Sequence, residues 1–183
     1  YGQVEMHTER VPGGVALRTL SFTGGELMLQ AGGAWRRSGG QSSGELNFDM
    51  DAARFGTLLE HLGYAQNIEA RHSVFKGALA WSPAASGLQW QQAGGQIDVD
   101  IREGQLRAVD PGASRVLGLF NFYALPRRLT LDFGDVVNKG LGFDRIDGSF
   151  QLANGIAHTQ DLTVRGPSVR IAVRGDVGLA AHD

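Results

Sequence analysis

The clearest pattern in the chain is the heptapeptide QIDVDIR at residues 96–102. Ile97, Val99 and Ile101 alternate there with polar residues, so an extended strand would have one apolar side and one polar side. The same alternation occurs in RLTLDF at 128–133 and in SVRIAVR at 168–174. The apolar members of these two runs are Leu129, Leu131, Phe133, Val169, Ile171 and Val173. We expect all three apolar rows to face one side of a single curved antiparallel sheet.

Short runs of this kind fill most of the chain and are separated by glycine. There are 27 glycines in 183 residues, about twice the usual proportion, which is typical of strands joined by tight turns. Further strands are predicted at 3–10, 15–23, 26–31, 44–49, 73–81, 104–108, 142–152, 156–165 and 176–181. The predicted fold is mainly β: a single segment, 1–183, forming an elongated, curved antiparallel sheet with a groove.

Two segments break the alternation and predict short helices on or near the apolar face of the sheet. The first covers 51–62, where Phe55, Leu58 and Leu59 recur at helical spacing. Asp51 is a suitable N-cap for this helix because a carboxylate can accept hydrogen bonds from free backbone N–H groups. Gly63 stands where a left-handed residue would end it.

The second predicted helix covers 111–124. Pro111 suits its first position and Pro126 would stop it. Apolar residues, among them Phe120, occupy most of its circumference, as in helices that are buried. Two interpretations stay open: a helix packed on the sheet as part of the core, or a helix that enters a groove or contacts lipid.

The sequence also contains a weak internal repeat. Residues 14–35 and 155–177 match in the placement of glycines and apolar residues when one single-residue shift is allowed. Both stretches predict three short strands separated by two turns. A repeated unit of this kind suggests an elongated sheet built by stacking similar elements.

The residue types needed for common enzyme chemistry are absent or badly spaced. The chain has no cysteine, and its histidines lack a recognised metal-ligand spacing. Asp98 and Asp100 share one side of a strand, but alternation alone puts polar residues there. A net charge of -2 gives no sign of a nucleic-acid partner. We therefore predict no catalytic residue, no metal and no cofactor.

Several motifs, taken in order, are similar to one protein family. They are LLEHLGY, GALAW, DPG before an apolar stretch, LPRRLTLDF, GFDRIDGSF and GPSVRIAVRGDV. Together they resemble the C-terminal region of the YhdP family, within the AsmA-like superfamily. The resemblance covers most of the chain, and residues 1–45 are similar only in style.

The resemblance implies a periplasmic segment of a longer Gram-negative protein, anchored in the inner membrane by an N-terminal helix outside this chain. That protein would shield phospholipid acyl chains in a hydrophobic β-groove between the inner and outer membranes. The candidate groove residues are the three apolar rows and Phe120. Two alternatives remain: a structural or interaction module that supports outer-membrane assembly without lipid of its own, and an enzyme acting on envelope glycans or lipids. Protein partners in the envelope are not predicted.

Overall fold

The computed structural model describes residues 2–61, 68–82, 93–106, 141–167 and 169–178. Within these ranges the chain forms nine strands and one short helix. Their bounds are β1 Gly2–Val11, β2 Gly14–Gly24, β3 Leu27–Ser38, β4 Gln41–Ala53, α1 Phe55–His61, β5 Ile68–Trp81, β6 Ala93–Leu106, β7 Leu141–Ala153, β8 Ile156–Gly166 and β9 Val169–Gly178. The prediction of a mainly β chain is confirmed.

The strands form one open antiparallel sheet. Their spatial order equals their order in the sequence, from β1 to β9, and each strand pairs with the one before it. A sheet with this topology needs no crossover connections, so short turns suffice between most neighbours. Gly13 and Gly25, for example, take the left-handed backbone conformation in the turns after β1 and β2.

The strand registers define which residues share a face. Residues directly opposite each other on paired strands point to the same side. Ile101 lies opposite Ile146, Ile146 opposite Val164, and Val164 opposite Ile171. The rows of β6 and β9 therefore lie on one side of the sheet, which we call the apolar face, and the other side is the polar face. The third row, at 128–133, lies outside the described residues.

The core consists of side chains on the apolar face of β5 to β8. Six buried residues form its centre: Ala70, Ile101, Phe143, Ile146, Leu162 and Val164. Helix α1 covers part of this core, since Phe55 packs against it and the rings of Phe55 and Phe75 are 5.0 Å apart. The predicted position of the first helix, on the apolar face, agrees with this packing.

The predicted start of that helix is wrong. Asp51 is not its N-cap, because residues up to Ala53 belong to β4 and Asp51 pairs with Val74 in the sheet. The Asp51 carboxylate instead accepts a hydrogen bond from His72 Nε2 at 2.9 Å. Arg54 takes a left-handed φ of 51° and separates the strand from a helix that begins at Phe55. The second predicted helix, 111–124, lies outside the described residues.

Two predicted strand breaks are also absent. The runs at 96–102 and 104–108 were expected as separate strands, yet β6 continues from Ala93 to Leu106. Glu103 has a positive φ of 52°, which shifts the alternation without ending the strand. Ile101 and Leu106 consequently both pack on the core despite their odd spacing. Strand β9 likewise continues through Gly175.

The two repeat stretches contain corresponding bulges. In the β2–β3 pair the register shifts between Leu17 and Leu20, opposite Gly33 and Ala31. In the β8–β9 pair it shifts between Thr159 and Leu162, opposite Gly175 and Val173. In each bulge, two residues of the first strand lie opposite one residue of the second strand. In both pairs a glycine of the second strand stands next to the bulge. The repeat stays a prediction, and this shared geometry is compatible with it.

Candidate functional site: the apolar face

The apolar face consists of rows of side chains that run across the strands. One row begins at Met6 on β1 and reaches Phe150 on β7 through seven successive strands. Its members are Met6, Leu20, Ala31, Phe48, Gly77, Ile97 and Phe150. Since neighbouring strands are about 4.8 Å apart, this row is roughly 29 Å long. No member carries a polar side chain.

Parallel rows lie on both sides of this one. The row that contains Val99 consists of Val4, Phe22, Leu29, Met50, Phe75, Val99 and Gly148. The row that contains Ile101 crosses all nine strands and ends at Ile171; its members are Gly2, Gly24, Leu27, Ala52, Ser73, Ile101, Ile146, Val164 and Ile171. The sheet thus presents a continuous apolar surface whose long direction is perpendicular to the strands.

Coverage of this face changes along its length. At the β7–β8 end, Ile146, Leu162 and Val164 are each only 2% exposed. At the β1–β3 end, Val4 and Met6 are 63% exposed, Val15 is 45% exposed and Trp35 is 42% exposed. Val15 and Trp35 lie opposite each other in a further row of this face, which begins at the charged Arg10. We call the apolar face of β5–β9 the covered part and that of β1–β3 the open part; β4 lies between them.

Edge position alone does not explain the open part. Strand β9 is also an edge strand, yet Val169, Ile171 and Val173 are all half-buried. Val99, Ile171 and Val173 pack against the buried core, of which Ile101 is a member. Ile97 packs against a second cluster, formed by Leu79, Leu152 and Ala157. The candidate groove residues within the described ranges are therefore more deeply buried than the exposed residues of the open part.

The sequence predictions missed the exposed members. Val4 and Met6 alternate with Glu5 and His7, a signal that was present in the predicted strand at 3–10. It marks the apolar side of β1 but does not reveal whether anything covers that side. The remaining candidates, Leu129, Leu131, Phe133 and Phe120, lie outside the described residues and stay predictions.

The polar face is braced by ion pairs. The Asp100 carboxylate accepts two hydrogen bonds from Arg102, at 3.0 and 2.7 Å, and two from Arg145, at 3.1 and 2.9 Å. Asp147 accepts a hydrogen bond from Arg165 at 3.1 Å. The hydrogen bond from Arg102, assisted by Arg145, lowers the pKa of Asp100 below its usual value although burial opposes this shift.

Both carboxylates that share the polar side of β6 have hydrogen-bond partners. Asp98 accepts a hydrogen bond from Gln96 at 2.7 Å, and Asp100 is held by two guanidinium groups. Arg174 donates to the backbone oxygen of Gln160, which ties it to the neighbouring strand. Within the described ranges, no group of three or more metal-ligating side chains comes together.

Two open cavities lie at the rims of the sheet and not along the middle of the apolar face. The larger, about 650 Å³, lies between α1 and the ends of β5 to β7, with Arg54, Arg71, Glu103 and Phe143 among its walls. The smaller, about 410 Å³, surrounds Trp81 at the opposite rim. Charged and apolar groups are mixed in both, so neither continues the apolar rows.

Fold and face together define a protein that presents a long apolar surface on an open antiparallel sheet. No helix in the described ranges is long and apolar enough to cross a bilayer. The chain belongs to the YhdP family, because the family model described as "YhdP protein" matches residues 1–183. The resemblance seen in the sequence motifs is thereby confirmed.

A curated relative is similar over most of the chain. The Intermembrane phospholipid transporter YhdP of Escherichia coli (strain K12) is 27% identical to it over 171 residues. The alignment covers 90% of this chain and 14% of the relative, so the chain spans about a seventh of that protein's length. No solved structure matches the chain.

Proposed function

We propose that this chain is a non-enzymatic, periplasmic segment of a lipid-transfer protein. It would shield phospholipid acyl chains on its apolar face while they pass between the inner and outer membranes. The observation that carries this proposal is the set of apolar rows that cross up to nine strands without a charged side chain between Gly2 and Ile171. The name of the relative, an intermembrane phospholipid transporter, supports the same substrate class.

The physical reason is the cost of exposing hydrocarbon to water. Each CH₂ group gains about 0.8 kcal/mol on burial, so a chain of about sixteen carbons costs on the order of 12 kcal/mol in water. A continuous apolar surface removes most of that barrier along its length. The head group can remain in water, so transfer needs neither a cofactor nor a closed pocket.

The open part is the stretch where we expect acyl chains to gain the most free energy on binding. Burial of Val4, Met6, Val15 and Trp35 is incomplete in the chain itself, so an apolar ligand would gain free energy by covering them. In the covered part the same free energy has already been gained by packing of the protein's own side chains. Ile97 and Val99 of β6 are only half-buried, so the lipid path can continue past them with a smaller gain in free energy.

Site-specific photocrosslinking in cells tests the proposal. A benzophenone amino acid replaces Met6 or Glu5 in the natural full-length protein; the two positions are neighbours on β1 but point to opposite faces. We expect phospholipid adducts at Met6 and at least tenfold fewer at Glu5. Equal adducts at both positions, or none at Met6, would contradict a lipid-carrying face and favour the structural module.

A further inference from the structure

Four aromatic side chains of the apolar face lie over glycines of a neighbouring strand. They are Phe48 over Gly77, Trp81 over Gly44, Phe22 over Gly2 and Phe143 over Gly104. A Cβ atom added to Gly44 would stand only 2.5 Å from Trp81 Cζ2 and 2.7 Å from its Nε1. At Gly77 it would collide with the Cε1 and Cζ atoms of Phe48. The rings therefore occupy the space in which side chains of the opposing residues would otherwise stand.

This arrangement depends on the cross-strand register. Gly77 lies directly opposite Phe48, and Gly44 lies directly opposite Trp81. Side chains of a sheet normally stand away from its surface, flanked by neighbours whose Cβ atoms are about 5 Å apart. Where the opposing residue is glycine, that flank is missing and a ring can lie down across the backbone. The result is a lower, smoother apolar surface.

Gly77 and Gly44 differ from other glycines of the face. An added Cβ at Gly33 would strike the backbone oxygen of Glu45, and one at Gly95 would strike that of Ala78. At Gly77 and Gly44 the three nearest atoms all belong to the aromatic ring. An alanine at either position thus needs movement of the ring and not of the backbone, and the free direction for that movement is up from the sheet.

The position of Phe48 gives this movement a consequence. Phe48 stands in the row from Met6 to Phe150, on the strand between the open part and the covered part. Gly77 separates it from Ile97 in the same row. A raised ring at Phe48 would form a step across that row, at the place where a ligand passes from one part to the other.

We propose that Gly77 is a positioning residue that keeps Phe48 flat, so that the path for an acyl chain stays continuous across β4 and β5. This inference rests on the proposed function. It assigns to Gly77 a role in ligand passage that is separate from any role in turns, because Gly77 lies inside β5.

The test uses the natural full-length protein and a phosphatidylethanolamine that carries a diazirine on its acyl chain. After irradiation, mass spectrometry locates the adducts on individual strands. In the unaltered protein we expect adducts on β1–β3 and also on β5–β7. Gly77→Ala should leave the first group in place and reduce the second about fivefold or more.

A double variant distinguishes a raised ring from general damage. Adding Phe48→Ala to Gly77→Ala removes the obstacle and should restore adducts on β5–β7, although it lowers thermal stability further. Gly142→Ala is the matched control, since Gly142 lies in β7 and an added Cβ there would meet no atom within 4 Å. We expect this control to behave as the unaltered protein does.

The outcomes separate the two proposals. An unchanged adduct pattern in Gly77→Ala, or a loss that Phe48→Ala does not restore, would overturn the positioning role and leave the lipid-carrying face intact. An absence of adducts on the apolar face of the unaltered protein would overturn the proposed function and the positioning role with it.

Discussion

The open and covered parts of the apolar face share one sheet and one alternation pattern but differ in what their side chains contact. In the covered part, large residues on adjacent strands pack on one another, and α1 adds Phe55 above Phe75. In the open part, Val4 and Met6 have only Phe22 and Leu20 of β2 opposite them, and both remain 63% exposed. The difference shows that an apolar row is not by itself a core: a core also needs partners above the sheet.

This contrast assigns different roles to equivalent positions. Removing a side chain from the covered part should destabilise the fold, whereas removing one from the open part should alter what the face can bind.

We expect Ile146→Ala to lower the free energy of unfolding by about 3–4 kcal/mol, because Ile146 is fully buried and its loss leaves a cavity among tightly packed neighbours. Met6→Ala should cost less than about 1 kcal/mol, since most of that side chain is already in water. Urea denaturation of both variants measures the difference. Similar losses in the two would mean that the open part is covered in solution.

The second prediction concerns binding. Met6→Glu introduces a charge on the open part, and desolvation of that charge should reduce photocrosslinking to an acyl-chain diazirine phospholipid about tenfold, which corresponds to about 1.4 kcal/mol. His7→Glu is the matched control, because the next residue of β1 carries the same new charge on the polar face. A comparable loss in both variants would point to a general charge effect and not to a face-specific one.

Much of this fold follows from the alternation of single strands. Because Ile97, Val99 and Ile101 alternate with Asp98 and Asp100, one side of β6 had to be apolar. The same reasoning correctly placed that row on the same face as Ile171 and Val173. The order of the strands is equally simple, since every described strand pairs with its neighbour in sequence.

Phase shifts within strands were harder to predict. At Glu103 the positive φ moves the apolar positions from odd to even numbers, and in a sequence this change resembles a break between two strands. The start of α1 was misplaced for a related reason: Asp51 is a good cap by residue type, but cross-strand pairing with Val74 extends β4 past it. In the second case, strand pairing outweighed a local preference.

The site itself was only half predictable. Alternation identifies the apolar side of every strand, including β1, but coverage depends on which side chains approach from other strands and from α1. That is why the sequence selected Ile97 and Val173, which pack on clusters, and overlooked Val15 and Trp35, which are exposed.

A third prediction extends the comparison to the polar face. Asp100 is three-quarters buried and accepts hydrogen bonds from two arginines, so Asp100→Asn should cost about 1 kcal/mol at neutral pH. Because the folded-state pKa of Asp100 is lowered, its stabilising contribution is complete above the unfolded pKa of about 3.9 and is lost as the pH falls through the folded pKa. Unfolding curves of the two proteins should therefore converge below about pH 4. A gap that persists at low pH would mean that the substitution acts through packing and not through charge.

The smallest expected effect lies on the polar face behind the open part. Arg18 donates to Glu9 at 2.6 Å, a shorter contact than those that hold Asp100, yet both side chains of the pair are more than half exposed. Water screens an exposed pair and both side chains lose rotamer freedom in forming it, so Glu9→Gln should change the free energy of unfolding by less than about 0.5 kcal/mol.

The remaining effect of Glu9→Gln should vanish in high salt, whereas the effect of Asp100→Asn should persist in part because partial burial reduces screening. Denaturation of the two variants at low and high salt measures this. If Glu9→Gln destabilised the protein as much as Asp100→Asn, burial would not predict which ion pairs stabilise this sheet. The difference between its open and covered parts would then not extend to the polar face.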